Sequence, residues 1–146
     1  MKILIINGPN LDMLGKRDKS HYGSLTLKQL NTVVAHYAKR QKCKTAFYQS
    51  NCEGQLISAI TKSKCDAIIL NAGAYSHTSY SIRDAIECCG KTVVEVHLSD
   101  VSNREEFRKK RAFQDVVSGY FYGKQQQSYF DAIDYIIAKE NKKYEM

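Results

Sequence analysis

No stretch of this chain approaches the ~20 consecutive apolar residues that cross a bilayer, which excludes a helical membrane protein and leaves no membrane partner to expect. The opening run Met1-Lys2-Ile3-Leu4-Ile5-Ile6 is too short for a signal-peptide core. It passes directly into the loop chemistry of Asn7-Gly8-Pro9-Asn10, so a cytoplasmic location is expected. The five cysteines, Cys43, Cys52, Cys65, Cys88 and Cys89, contain no Cys-x-x-Cys spacing and their number is odd. A zinc ribbon or a secreted disulfide framework is therefore not expected, and reduced, mostly buried thiols are. No P-loop, no G-x-G-x-x-G and no G-x-S-x-G occurs, so nucleotide cofactors and serine hydrolysis lose support.

What is there fits one domain over residues 1–146, large enough to bury a core without staples. Hydrophobic residues at 43% and charged residues at 25% are globular proportions, which excludes a disordered chain. The net charge of +7 permits nucleic acid or an anionic small molecule as partner. The basic residues are dispersed, however, through Lys39-Arg40-Gln41-Lys42, Arg108-Lys109-Lys110-Arg111 and Lys142-Lys143, without interleaved glycine and aromatics. Solvated surface charge, with one or two arginines aimed at an acidic substrate, is the expectation; nucleic acid is not.

Apolar runs alternate with amphipathic segments. Strands are expected at Lys2–Asn7, Thr45–Gln49, Asp66–Leu70, Thr92–His97 and Val116–Tyr120. Helices are expected at Thr26–Lys42, Glu53–Ser63, Ser79–Cys89 and Tyr129–Lys139, with a short one at Arg104–Arg111. The alternation indicates βαβ units with both sheet faces covered, an α/β flavodoxin-like three-layer sandwich with five parallel strands in the order 2-1-3-4-5.

In such sheets the site lies at the carboxyl ends of the strands. Three segments should converge there: Asn7-Gly8-Pro9-Asn10, Asn71-Ala72-Gly73-Ala74-Tyr75-Ser76-His77-Thr78, and Glu95-Val96-His97-Leu98-Ser99. The connection from Gly8 to Leu25 shows no helical stripe and exceeds the ~12–15 residues usual for loops, which favours a lid over a floppy excursion. It carries Arg17, Asp18, His21, Tyr22 and Gly23.

Glu95 and His97, two apart on a strand, share one face; a carboxylate beside an imidazole fixes its tautomer. The spacing alone fits a general acid or base and equally a satisfied polar pair at a strand end. A metal site of His77, Glu95 and His97 lacks any closely spaced ligand motif and is not expected. The turn around Asn71 offers amides and hydroxyls able to hold a carboxylate or polyol, while Ser79 or Thr78 caps the next helix. Arg104 and Arg108, four apart, reach either an anion or a surface acid such as Glu105.

Together these residues resemble type II 3-dehydroquinate dehydratase. The resemblance rests on Asn7-Gly8-Pro9-Asn10-Leu11, Leu14-Gly15-x-Arg17, Tyr22-Gly23, Gln49-Ser50-Asn51-x-Glu53-Gly54, Asn71-x-Gly73-Ala74-Tyr75-x-His77-Thr78-Ser79, Asp84-Ala85, and Glu95-Val96-His97-Leu98-Ser99 with Arg104-Glu105-x-Phe107-Arg108. It implies the flavodoxin-like fold, no cofactor and a trimer-based homo-oligomer, the homododecamer. It also implies the shikimate-pathway reaction, anti elimination of water from 3-dehydroquinate to 3-dehydroshikimate through an enolate. Tyr22 would be the base. A free tyrosine titrates near ~10, so Arg17 would supply the positive charge that stabilises the tyrosinate. His97, oriented by Glu95, would protonate the departing hydroxyl, and Asn10 would hold a water at the enolate oxygen. Asn71 and the backbone of Leu98 and Ser99 would bind the carboxylate, His77 and Arg108 the ring hydroxyls. Asp84 would reach a neighbouring subunit's site. The chain departs from the family at Ala72, where proline is common, at Arg111, where serine is usual, and over Gly123–Tyr129. Those positions bear on the pocket's ring side, the C-terminal packing and the oligomer surface.

Three other functions compete. A flavodoxin-like FMN-binding electron carrier would need a Ser/Thr-rich phosphate loop, which Asn7–Leu14 is not. A phosphorylation receiver needs acidic strand ends, whereas these strands end in Asn7 and Asn71. A basic nucleic-acid-binding module would show steeply salt-dependent binding.

Overall fold

The computed structural model describes residues 1–145. Five strands, β1 (Lys2–Asn7), β2 (Lys44–Gln49), β3 (Ala67–Asn71), β4 (Thr92–His97) and β5 (Gly119–Tyr122), form one parallel sheet in the order β2-β1-β3-β4-β5. This is the order expected of the flavodoxin-like sandwich. Side chains alternate across the sheet, so each strand feeds two cores. Ile3, Ile5, Ile69, Val94 and Val96 meet Leu30, Val34, Ile133 and Ile136 of α2 (Leu27–Arg40) and α5 (Gln127–Tyr144). Ile6, Ile68, Leu70 and Val93 meet Leu56, Ile60, Ile82 and Ile86 of α3 (Glu53–Thr61) and α4 (Tyr80–Cys89). Thr26 and Gln29 close a reciprocal capping box on α2, and the Ser79 hydroxyl accepts from the Ile82 N–H at 3.0 Å to cap α4.

The structure corrects the sequence reading in five places. The strand placed at Val116–Tyr120 begins instead at Gly119. Val116 and Val117 both donate to the Phe113 carbonyl in a turn and pack on the second core, which uses their apolarity outside the sheet. The helix placed at Arg104–Arg111 is only a 3-10 turn, Glu106–Lys109; another, Val101–Asn103, precedes it, and Arg104 is extended between the two. The lid, read as lacking helix, contains a 3-10 turn (Leu11–Met13) and the one-turn helix α1 (Lys19–Tyr22), both too short to show a periodic stripe. The edge strand β2 is covered only in part, unlike β3 and β4. Of the cysteines only Cys43 is buried. Cys52 precedes α3, and Cys88 lies off the inward stripe of α4, so both are exposed.

One buried bridge ties the last helix to the two central strands. The Tyr129 hydroxyl, on α5, donates to Asn7 Oδ1 at 2.6 Å and accepts from Asn71 Nδ2 at 2.9 Å. The residues that follow these strand ends lie so close that a Cβ on Gly8 would sit 2.7 Å from the Ala72 backbone. Removing the hydroxyl strands two amide groups where water does not reach, at a cost of about 1–3 kcal/mol. Tyr129→Phe should therefore lower the denaturant midpoint at unchanged slope in equilibrium unfolding.

Candidate active site

The floor of the site is built by the chain leaving β1, β3 and β4. Gly8 N–H donates to the Asn71 carbonyl at 2.7 Å, and Gln49 Nε2 donates to the Gly8 carbonyl at 3.1 Å. Asn10 sits in the left-handed region at φ 69°, a conformation asparagine tolerates, with its N–H donated to Asn51 Oδ1. The 3-10 turn Gly73–His77 follows β3 and brings His77 over the strand ends. Asn71 Oδ1 accepts from the Gly73 N–H at 3.2 Å, so this amide shapes the turn as well as the floor.

His97 and Glu95 are both almost fully buried. Glu95 Oε2 lies 2.8 Å from His97 Nε2 and can only accept, so that nitrogen carries the proton. The tautomer leaves Nδ1 unprotonated in the neutral ring, ready to take a proton that the imidazolium can later give up. The His77 ring stacks at 6.0 Å from that of His97, and its Nδ1 donates to the Lys110 carbonyl at 2.8 Å. Burial pulls the His77 imidazolium below its ordinary value, opposed by the bond to Lys110.

The lid closes the other side. Asp18 caps α1 by accepting from the Ser20 N–H and hydroxyl, and Leu11 and Leu14 anchor the segment in the core. Tyr22 lies between two guanidinium groups. Arg17 is 3.6 Å above its ring, and Arg104 donates to its hydroxyl. The same Arg104 nitrogen reaches the Ser99 hydroxyl at 3.3 Å. Gln125 ties the lid down by donating to the His21 carbonyl, which shows what the altered Gly123–Tyr129 segment packs against. Arg17 is held below its ordinary value by burial first; Tyr22 opposes this, and Arg104 and Arg108 add to it. Arg108 pairs with Glu105, whereas among the described residues no carboxylate pairs with Arg17 or Arg104. The uncompensated positive charge suits an anionic ligand.

Asn10, Arg17, Tyr22, Asn71, His77, His97, Leu98, Ser99 and Arg108 line one cavity, while Glu95 stands behind His97. Asp84 is elsewhere, solvent-facing on α4 and paired with Arg83 at 2.9 Å. Arg108 lines the cavity and also makes the expected surface pair with Glu105. Sequence reasoning missed the pairing of Arg104 with Tyr22, which joins residues 82 apart, and the contact of Arg111 with Glu95. The one available signal for Arg104 was its place four residues before Arg108. No three of the described histidine, cysteine and acidic residues are grouped so as to hold a metal ion.

The fold and this cavity define a small-molecule site of the flavodoxin-like class. The sequence model described as "Dehydroquinase class II" matches residues 1–137. The chain is 41% identical over 136 residues to a 3-dehydroquinate dehydratase of Thermotoga neapolitana, covering 93% of this chain and 94% of that one. It is 42% identical over 143 residues to the 3-dehydroquinate dehydratase of Francisella tularensis subsp. novicida, covering 95% and 99%. The crystal structure of the type II dehydroquinase from Butyrivibrio crossotus superposes with a TM-score of 0.89 at 41% identity, over 92% of this chain and 95% of that one. The chain belongs to the class II dehydroquinase family, the family its motifs resemble.

The lowered His77 value has a defined sign in stability. As pH falls through the ordinary histidine value the unfolded chain takes up the proton first, so the stability present above that pH is lost towards the lower folded value. A His77→Gln variant should lose less stability than the parent as pH falls from neutrality through the ordinary histidine value, read as denaturant midpoints along that series.

Proposed function

We propose that this chain is a 3-dehydroquinate dehydratase. It carries out the anti elimination of water from 3-dehydroquinate through an enolate, as one catalytic domain without a cofactor, in the shikimate route to aromatic compounds in the cytoplasm. The observation that carries the reading is the pair of proton-transfer groups on one cavity, Tyr22 held between two arginines and His97 held by a buried carboxylate.

Elimination beside a ketone needs a base for the α-proton, stabilisation of the enolate, and an acid for the departing hydroxyl. Tyr22 is the base. Ionising it places a phenolate between Arg17 and Arg104, and each tenfold gain in phenolate corresponds to about 1.4 kcal/mol of preferential stabilisation. Asn10 holds a water at the enolate oxygen. His97 gives its proton to the β-hydroxyl, which leaves as water, while Glu95 stabilises the imidazolium before transfer. Asn71 and the backbone N–H groups of Leu98 and Ser99 bind the carboxylate, helped by the uncompensated arginines. His77 and Arg108 meet the ring hydroxyls.

The test is an ultraviolet assay for the conjugated enone formed from 3-dehydroquinate, run with a metal chelator present. Turnover is expected, and its absence in folded protein would refute the reading. Tyr22→Phe should lower kcat by ~10³-fold or more while leaving the fold and analogue binding intact. Activity within about tenfold of the parent would remove Tyr22 from the role of base.

The second element of the proposal is a closed homo-oligomer built from trimers, up to a homododecamer, in which Asp84 reaches a neighbour's site. Its exposure on the outer face of α4 and its distance from its own cavity support this. Light scattering should give a mass close to three or twelve times 16.6 kDa. Mixing Tyr22→Phe with Asp84→Ala subunits should recover part of the activity each lacks. A fully active monomer would show that each chain works alone.

A further inference from the structure

The backbone on both sides of Arg111 is pinned to the His77 turn. The Lys110 carbonyl accepts from His77 Nδ1, and the Ala112 N–H donates to the Ser76 carbonyl at 2.9 Å. Ala112 and Phe113 are buried in the second core, so the segment cannot slide. From this anchorage the Arg111 guanidinium crosses the face of Tyr120, 3.5 Å from the ring centroid, and brings one nitrogen to 3.5 Å from Glu95 Oε1. That oxygen is buried and has no hydrogen-bond partner, because Glu95 uses Oε2 for His97. Arg111 is thus the cation facing the second oxygen of the carboxylate behind His97. A buried carboxylate that keeps its charge needs a partner.

We propose that Arg111 is a positioning residue. It orients Glu95 by Oε1 and offsets part of its charge, which leaves Oε2 aligned on His97 Nε2 and fixes the tautomer and acidity of His97. This rests on the reading of His97 as the acid of the elimination. The other groups facing the pair are His77 and Arg108 on the cavity side and Tyr120 on β5, which in turn faces Tyr122 and Asp100. Tyr120 is held above its ordinary value, by burial first and Glu95 second, so it stays a neutral phenol across the working range. Among these groups Arg111 is the cation that contacts the carboxylate directly, and its removal leaves the full Glu95 charge acting on the His97 imidazolium.

Arg111→Met keeps an apolar stem against Tyr120 and deletes the charge; Arg111→Lys returns the charge without the planar fork. For Arg111→Met, kcat should fall by about tenfold with KM within about twofold. The alkaline limb of the kcat profile should move up by about one pH unit. Arg111→Lys should recover part of both effects. The ¹⁵N shifts of the His97 ring, measured without substrate, should change in Arg111→Met towards a mixture of tautomers. A merely structural arginine would lower the melting temperature and leave the limb and the ring shifts where they are. Unchanged ring shifts in folded Arg111→Met would overturn the proposal. Glu95→Gln with parental turnover would instead overturn the acid role of His97. The ring shifts would then still decide whether Arg111 holds the pair.

Discussion

Three buried polar side chains govern the geometry of the whole site. Asn7 and Asn71 end adjacent strands deep in the protein, where an unsatisfied amide is costly. The Tyr129 hydroxyl satisfies both at once, donating to one and accepting from the other. The bridge fixes where α5 lies relative to β1 and β3, and so where the loops leaving those strands begin. With the strand ends held, Gly8 can pass against Ala72 at a distance no side chain would allow. The bridge also puts the turn before α5 beside the lid, where Gln125 reaches both the Leu98 and the His21 carbonyls.

On this rigid floor the two sides of the cavity are made by different physics. The His97 side is mostly buried, and there His77, His97, Glu95 and Arg111 constrain one another through ring stacking, one hydrogen bond and one ion pair. The Tyr22 side is a lid of one-turn elements, anchored by Leu11 and Leu14 and dominated by positive charge without carboxylate partners. One side is thus fixed by buried packing and the other by a segment of short turns, and the proposed elimination draws one proton-transfer group from each.

Much of this was legible in the residues. The apolar runs of β1, β3 and β4 and the stripes of α2 to α5 follow from periodicity, and strands alternating with helices imply the parallel sheet and the edge at which a site forms. Val116 and Val117 misled because apolarity records burial, and burial in a turn against the second core looks the same as burial in a strand. Arg104 to Arg111 misled because an i, i+4 pair of arginines reads as helix, whereas Arg104 is extended between two short turns.

By itself the sequence determined the sheet, its two-sided core and the segments that carry the chemistry. These depend on patterns among neighbours in the chain, and its motifs were enough to point to the family. Only the tertiary structure decided that Arg104 meets Tyr22, that Tyr129 joins Asn7 to Asn71, and that Arg111 faces Glu95. Such pairings follow from where the packed elements carry their side chains. No local spacing encodes a contact between residues 82 or 122 apart.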